Sequence, residues 1–219
     1  MRASLDHLVF GVSSLEHGSL WLEERLGAPL SPGGRHEAMG THNRLLRLGD
    51  NSYLELIAID PEGSKPQRPR WFDLDSITPP DSLQAPRLLT WAAATTGLTS
   101  PGFSPAYDAG KAHAMSRGAL SWLITIRDDG RVPEAGTLPS LIEWPEGVHP
   151  ATALPGRGVS VTRLELFASD PDRTEAALKS IGLGAAGSRV RVVRDETGSR
   201  LRAILDTPRG IVCFDSRSS

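Results

Sequence analysis

Three ionisable side chains stand in stretches that otherwise read as buried strand: His7 in "LDHLVFGVSS", Glu55 in "SYLELIA" and Glu143 in "LIEWP". Strand alternation puts Leu8, Phe10 and Val12 on one face of the first stretch and His7, Val9 and Gly11 on the other. In the second, Leu54 and Leu56 share one face, and Tyr53, Glu55 and Ile57 the opposite one. A carboxylate among apolar neighbours is destabilising unless it meets a cation or hydrogen-bond donors. One divalent ion shared by His7 and Glu55 would remove that penalty. Blander readings stand beside it: a satisfied core or edge histidine at position 7, and an arginine partner for Glu143.

Composition narrows the classes. With 24 basic and 26 acidic residues among 219, the formal net charge is −2 and no basic block stands out, which excludes nucleic acid and anionic membrane as expected partners. No apolar run is long enough to span a bilayer, and the N-terminus lacks the basic-then-apolar pattern of a secretory signal, so a cytoplasmic protein is expected. The single cysteine, Cys213 in "GIVCF", reads as a small core residue. Metalloprotease, Walker, C-x-x-C and nucleophile-elbow motifs are missing. "GLGAAG" (182–187) fits a dinucleotide-binding pattern, but it closes a helix and leads into a strand, the reverse of the required order; it reads as helix termination.

The candidate residues need elements to hold them. After the first strand, "SSLEHGSLWLEERLG" carries Ser13 and Glu16 as a capping box, Gly27 as a stop, and Leu15, Gly18, Leu22 and Leu26 at helical spacing. A Gly/Pro-rich loop, "SPGGRHEAMG", precedes "THNRLLRLG" and "SYLELIAID", a predicted hairpin. Proline-rich residues 61–87 read as a connector across the surface rather than core. "VTRLELFASDPDRTEAALKSIGLG" repeats the layout of the opening block, and strands in "RVRVVRD", "SRLRAILD" and "GIVCF" follow it. Between these two units "PRLLTWAAATTGL", "GALSWLITIRD" and "LPSLIEWPEG" supply strands of a degenerate middle unit whose helix is broken at "TSPGFSP". The expected organisation is a first βαβββ unit over 1–60, the connector over 61–87, a degenerate second unit over 88–150 and a third over 158–216.

In "LDHLVFGVSSLEHGSLWLEERLG", "GGRHEAMGTHNRLLRLGDNSYLELIAIDP" and "LIEWPEGVHP" the chain resembles the vicinal oxygen chelate superfamily, and within it the proteins described as having a glyoxalase-like domain. The resemblance implies an α+β fold of repeated β-α-β-β-β units, forming open, cup-shaped mixed sheets with helices on the outer face. It also implies a divalent metal (Zn, Mn, Co, Ni or Fe(II)) on the concave surface, held by residues of the first and fourth strands of each unit. On this sequence those are His7, Glu55 and Glu143, with Thr90 in the weak fourth slot and either glutamate able to act as base. His42, Asn43, Tyr53, Thr90 and His149 are the remaining candidates for contacting substrate. His17, His36 and His113 read as solvated, and Trp91, Trp122 and Trp144 as core or, for one of them, pocket wall. The third unit places Arg163 and Cys213 in the metal slots, so it is expected to serve as scaffold or as the surface of a homodimer.

The implied activity is that of a metal-dependent lyase, isomerase or dioxygenase chelating a small substrate through vicinal oxygens. The alternative is a metal-free binding or resistance protein using the same hollow.

Overall fold

In the computed structural model, which describes residues 2–77, 85–184 and 188–216, the two apolar faces of the first strand divide the molecule into two cores. Leu8, Phe10 and Val12 join Leu54 and Leu56 in a core under the first helix, whereas Val9 and Ile57 belong to a second core inside the cup. The faces are those expected from alternation.

The first unit consists of β1 (Ser4–Gly11), α1 (Leu15–Leu26), β2 (Ser31–His36), β3 (Thr41–Gly49) and β4 (Ser52–Ile59). The cap of α1 is Ser14 rather than Ser13: its side chain accepts from the His17 N–H, and Gly27 ends the helix at φ 65°. Leu15, Gly18, Leu22 and Leu26 are buried as the helical spacing predicts. The segment expected to be a loop before β3 is instead β2, an edge strand paired antiparallel to β3 with an irregularity after Pro32. Proline is tolerated there because an edge strand leaves one row of N–H groups unpaired.

The second unit contributes β5 (Arg87–Ala94), β6 (Lys111–Arg117), β7 (Leu120–Ile126) and β8 (Ser140–Glu143). All eight strands form one mixed sheet in the order β2-β3-β4-β1-β5-β8-β7-β6. In each half the first strand runs parallel to the fourth, and β1 meets β5 antiparallel at the centre. The sheet curls so far that its edges, β2 and β6, approach each other.

Two expectations are corrected inside the cup. The proline-rich connector is not confined to the surface: Trp71, Phe72 and Leu74, from a 3₁₀ segment at Trp71–Ser76, are buried in the concave core. Apolar burial of "WF" outweighs the loop character of the flanking prolines. Arg70 secures this plug, its guanidinium donating to Asp75 Oδ1 at 2.6 Å and to the Met39 carbonyl at 3.1 Å.

Glu143, expected to face the cup, does not. Leu141 lies in the outer core and Ile142 in the inner one, so Glu143 falls on the outer side, where its carboxylate accepts from the N–H groups of Gly97 and Leu98 at 2.9 and 2.8 Å. A shift of one residue along a strand exchanges the faces.

After the four-residue α2 (Pro150–Ala153), the third unit comprises β9 (Ser160–Ala168), α3 (Pro171–Ser180), β10 (Val190–Arg194), β11 (Arg200–Thr207) and β12 (Gly210–Asp215). Its element order repeats the first unit, but its sheet runs β10-β9-β11-β12. Arg163 on β9 and Cys213 on β12 are therefore separated by β11 rather than adjacent. Cys213 is exposed, against the expectation of burial. Leu164, Leu166, Leu201, Leu205 and Phe214 pack in the same core as Trp91, Ala93 and Leu141, so this sheet covers the back of the second unit, where a helix is missing. Gly182 follows α3 at φ 78°, a helix stop; residues 185–187 of "GLGAAG" lie outside the described residues. No helix among the described residues is long and apolar enough to cross a membrane.

Glu143→Ala should destabilise the fold by about 1–3 kcal/mol, because two backbone donors lose a charged acceptor. Urea denaturation checks this, with Glu143→Gln expected to lose less.

Candidate functional site

The register of β1 explains why two consecutive residues share one side of a strand. Leu5 pairs with Ala93 and His7 with Ala92 on β5, which leaves Asp6 as the extra residue of a bulge. The bulge breaks alternation, and Asp6 Oδ1 lies 2.6 Å from His7 Nδ1.

Asp6 is fully buried. Its other oxygen accepts from Trp144 Nε1 at 3.0 Å and lies 3.1 Å from His149 Nε2. The Ala151 N–H donates to His149 Nδ1, so the His149 proton sits on Nε2 and is given to Asp6. Burial pushes the Asp6 carboxyl up, but the hydrogen bonds from His149 and His7 outweigh it and hold the group below its ordinary value.

With Nδ1 committed to Asp6, His7 directs Nε2 at Glu55, 3.6 Å from Oε2. Tyr53, the register partner of His7 on β4, stacks on the imidazole with ring centroids 4.6 Å apart. Asn43 donates to Glu55 Oε1 at 2.5 Å and accepts from the Gly34 N–H, tying the carboxylate to β2 and β3. His36 completes the cluster. Its Nδ1 is 3.0 Å from the Thr41 hydroxyl and its Nε2 is 3.9 Å from Glu55 Oε1. Burial pushes the His36 imidazole down to about 4, so it is neutral near pH 7.

Opposite this polar wall the second unit presents Trp122, Ile124, Ile142 and Trp144, and Trp71 and Phe72 close the floor. The space open to the centre of a water molecule is about 10 Å³, roughly what one ordered water needs.

The structure thus brings His7, Glu55, Asn43 and Tyr53 together. His149 does not line the cavity; it touches the site through Asp6 and through edge-on ring contacts with Tyr53 and Trp144. Thr90 does not reach it: its hydroxyl is turned onto the carbonyl of Gly136 at 3.3 Å, and the residue opposite His7 is Ala92. His42 points to the other side of β3 from Asn43, into a groove beside the start of α1. The sequence expectations missed Asp6 and Trp71 and took His36 as solvated, whereas of the three tryptophans given as core or pocket wall both Trp122 and Trp144 line the cavity. The Asp-His pair in an apolar strand was a signal for Asp6. His36 had none, because its loop-like surroundings read as solvated.

The donor set suits a divalent cation in part. Among the described residues no three His, Cys, Asp or Glu side chains are gathered as a ready ligand group. Two features nevertheless match a metal site: imidazoles whose Nδ1 atoms are anchored by second partners, and a carboxylate faced by both Nε2 atoms. His7 Nε2 and Glu55 Oε2 are two acceptors facing each other in a buried space, an arrangement that calls for a proton or metal ion between them.

A family model described as a glyoxalase-like domain matches residues 5–182. No curated protein matches the chain. Among solved structures, a hypothetical protein from Staphylococcus aureus is similar in fold, with a TM-score of 0.54 at 14% identity over 98% of this chain and 85% of its own. Methylmalonyl-CoA epimerase from Streptomyces coelicolor aligns at 16% identity over 68% of this chain and 99% of its own, with a TM-score of 0.43. The enzyme from Mycobacterium tuberculosis aligns at 20% identity over 65% of this chain and 88% of its own, with a TM-score of 0.40.

Unfolding lets His36 titrate near its ordinary value. Between about pH 6.5 and 4 the unfolded chain therefore binds the proton first, and the metal-free protein should lose on the order of 3 kcal/mol as pH falls through that window. Urea midpoints from pH 7 to 4 in the presence of a chelator check this; His36→Gln should flatten the slope.

Proposed function

The chain belongs to the glyoxalase-like domain family of the vicinal oxygen chelate superfamily, and on that premise we propose that its cup is the site of an enzyme acting on a small oxygen-bearing substrate through a bound divalent cation. The observation that carries this reading is the pair of facing acceptors, His7 Nε2 and Glu55 Oε2, 3.6 Å apart and buried. His7 and Glu55 would hold the ion, with His36 as the third donor in place of Glu143, which is turned away. When bound, Zn, Mn, Co, Ni or Fe(II) would supply Lewis-acid polarisation of a substrate oxygen.

The rest belongs to the chain itself. Asp6 holds the His7 proton on Nδ1 and keeps Nε2 free. Trp144 and His149 hold Asp6 in turn. Asn43 steadies Oε1 of Glu55, so that Oε2 is the oxygen presented to the ion, or to a substrate proton when Glu55 leaves the ion and acts as general base. The aromatic and aliphatic wall excludes water and strengthens these charge interactions.

A second reading, a metal-free pocket that binds a small molecule, is favoured by one observation. The second unit offers Ala92 and Ile142 where a two-sided metal site would carry ligands.

Metal uptake separates the two. Titrating chelator-stripped protein with Mn(II), Co(II), Ni(II), Zn(II) and Fe(II) should show one ion bound per chain. His7→Ala and Glu55→Gln should abolish uptake, His36→Ala should weaken it by roughly 10–100-fold, and Glu143→Gln should leave it unchanged. Wild-type protein that takes up none of the five belongs to the second reading.

A further inference from the structure

The closed cup cannot hold a substrate. About 10 Å³ is open to the centre of a water molecule, room for one water, and a molecule offering two neighbouring oxygens is several times larger. Beyond the segment Trp71–Ser76 lies the groove beside the start of α1, where the same measure gives about 1090 Å³. Trp71 and Phe72 line the cavity, whereas Leu74, Asp75 and Ile77 line the groove. One short segment therefore stands between the reactive groups and a space large enough for what they would act on.

The other walls of the cup are fixed. His7, Tyr53, Glu55, Trp122, Ile124 and Ile142 stand on paired strands, and Trp144 is tied to Asp6. Strand ladders open cooperatively, so these walls part only when the sheet does. The segment at Trp71 belongs to neither sheet. Among the described residues its one backbone hydrogen bond to another part of the chain runs from the Asp73 N–H to the Gly130 carbonyl, at 2.9 Å.

It is also held there at a cost. Phe72 and Asp73 lie in the left-handed region, at φ 58° and 55°, a conformation uncommon for an aromatic residue. The Trp71 indole N–H is buried with no acceptor among the described residues, whereas Trp91 and Trp144 donate theirs to Thr137 and Asp6. Both penalties are relieved when the segment leaves the cup. Apolar contact and one polar latch retain it: the half-exposed Asp75 accepts from the Arg70 N–H at 2.8 Å and from its guanidinium at 2.6 Å.

We propose that residues 70–77 are a gate: the Trp71 and Phe72 side chains withdraw from the cup, and groove and cup become one cleft in which the substrate is bound. The Arg70–Asp75 pair sets how often the gate opens. Trp71 stands edge-on to His36 with ring centroids 5.0 Å apart, so its withdrawal also uncovers that imidazole. This inference rests on the cup being the substrate site.

The test is native-state thiol labelling of the full chain with methyl methanethiosulfonate, read by mass spectrometry in a Cys213→Ser background. Ile124→Cys reports on the cup and Leu54→Cys on the core under α1; the parent side chains are 2% and 0% exposed. The cup cysteine should react roughly 10-fold faster than the core cysteine or more, at a rate that low urea hardly changes, because the gate exposes little surface. Asp75→Ala should speed the cup reaction by roughly 10-fold. Glu143→Ala weakens the fold outside the gate, so it should speed the core reaction and leave the cup reaction unchanged. If Ile124→Cys does not fold, Ile142→Cys takes its place. Equal rates and equal urea dependence at the two cysteines, or a cup rate indifferent to Asp75→Ala, overturn the gate. The labelling needs neither ion nor substrate. A gate that opens in a chain taking up no metal therefore stands while the metal reading falls, and a cup that stays shut while His7 and Glu55 still take up metal overturns the gate and leaves the metal site.

Discussion

The carboxylate of Asp6 is where the two halves of the cup are joined. It takes a hydrogen bond from His7 on the first strand, from Trp144 just past the last strand of the second unit, and from His149 at the cap of a short helix. A fully buried charge persists only when its oxygens are satisfied, and here three donors from separate parts of the chain do so. Loss of any one of them leaves an under-satisfied charge, and loss of Asp6 itself frees the His7 ring to reorient. The bulge at Asp6 is thus both a local irregularity of one strand and the condition for aiming an imidazole nitrogen at Glu55.

Around that point the halves have diverged in chemistry while keeping the same strand arrangement. The first half supplies His7, His36, Asn43 and Glu55; the second supplies tryptophan and isoleucine, with Arg117 at its far edge. Such asymmetry places polar and apolar walls face to face across a small space, with the Trp71 plug sealing one end. Reactive groups held against a low-dielectric wall interact more strongly than the same groups in water.

The third unit serves this arrangement from behind. Its strand order differs from that of the first unit, so it offers no second copy of the site. Its apolar face instead packs on Trp91, Ala93 and Leu141, the outer surface that the helix-less second unit would otherwise expose.

The alternation of apolar and polar residues by itself determined which faces of β1 and β4 turn inward, and the helical spacing determined the buried side of α1, because both depend only on neighbours along the chain. His7, Tyr53 and Glu55 were legible for that reason. Glu143 was misread because its face depends on where β8 begins to pair, and one residue of phase inverts the answer. His36 and Trp71 were out of reach for a related reason, and Asp6, although marked by the Asp-His pair, could not be assigned a face. A bulge, an edge strand built from Gly and Pro, and a loop folded into a cup are each stabilised by contacts with segments distant in sequence. Tertiary structure alone decided which polar groups meet around Glu55, and that the wall opposite them is aromatic.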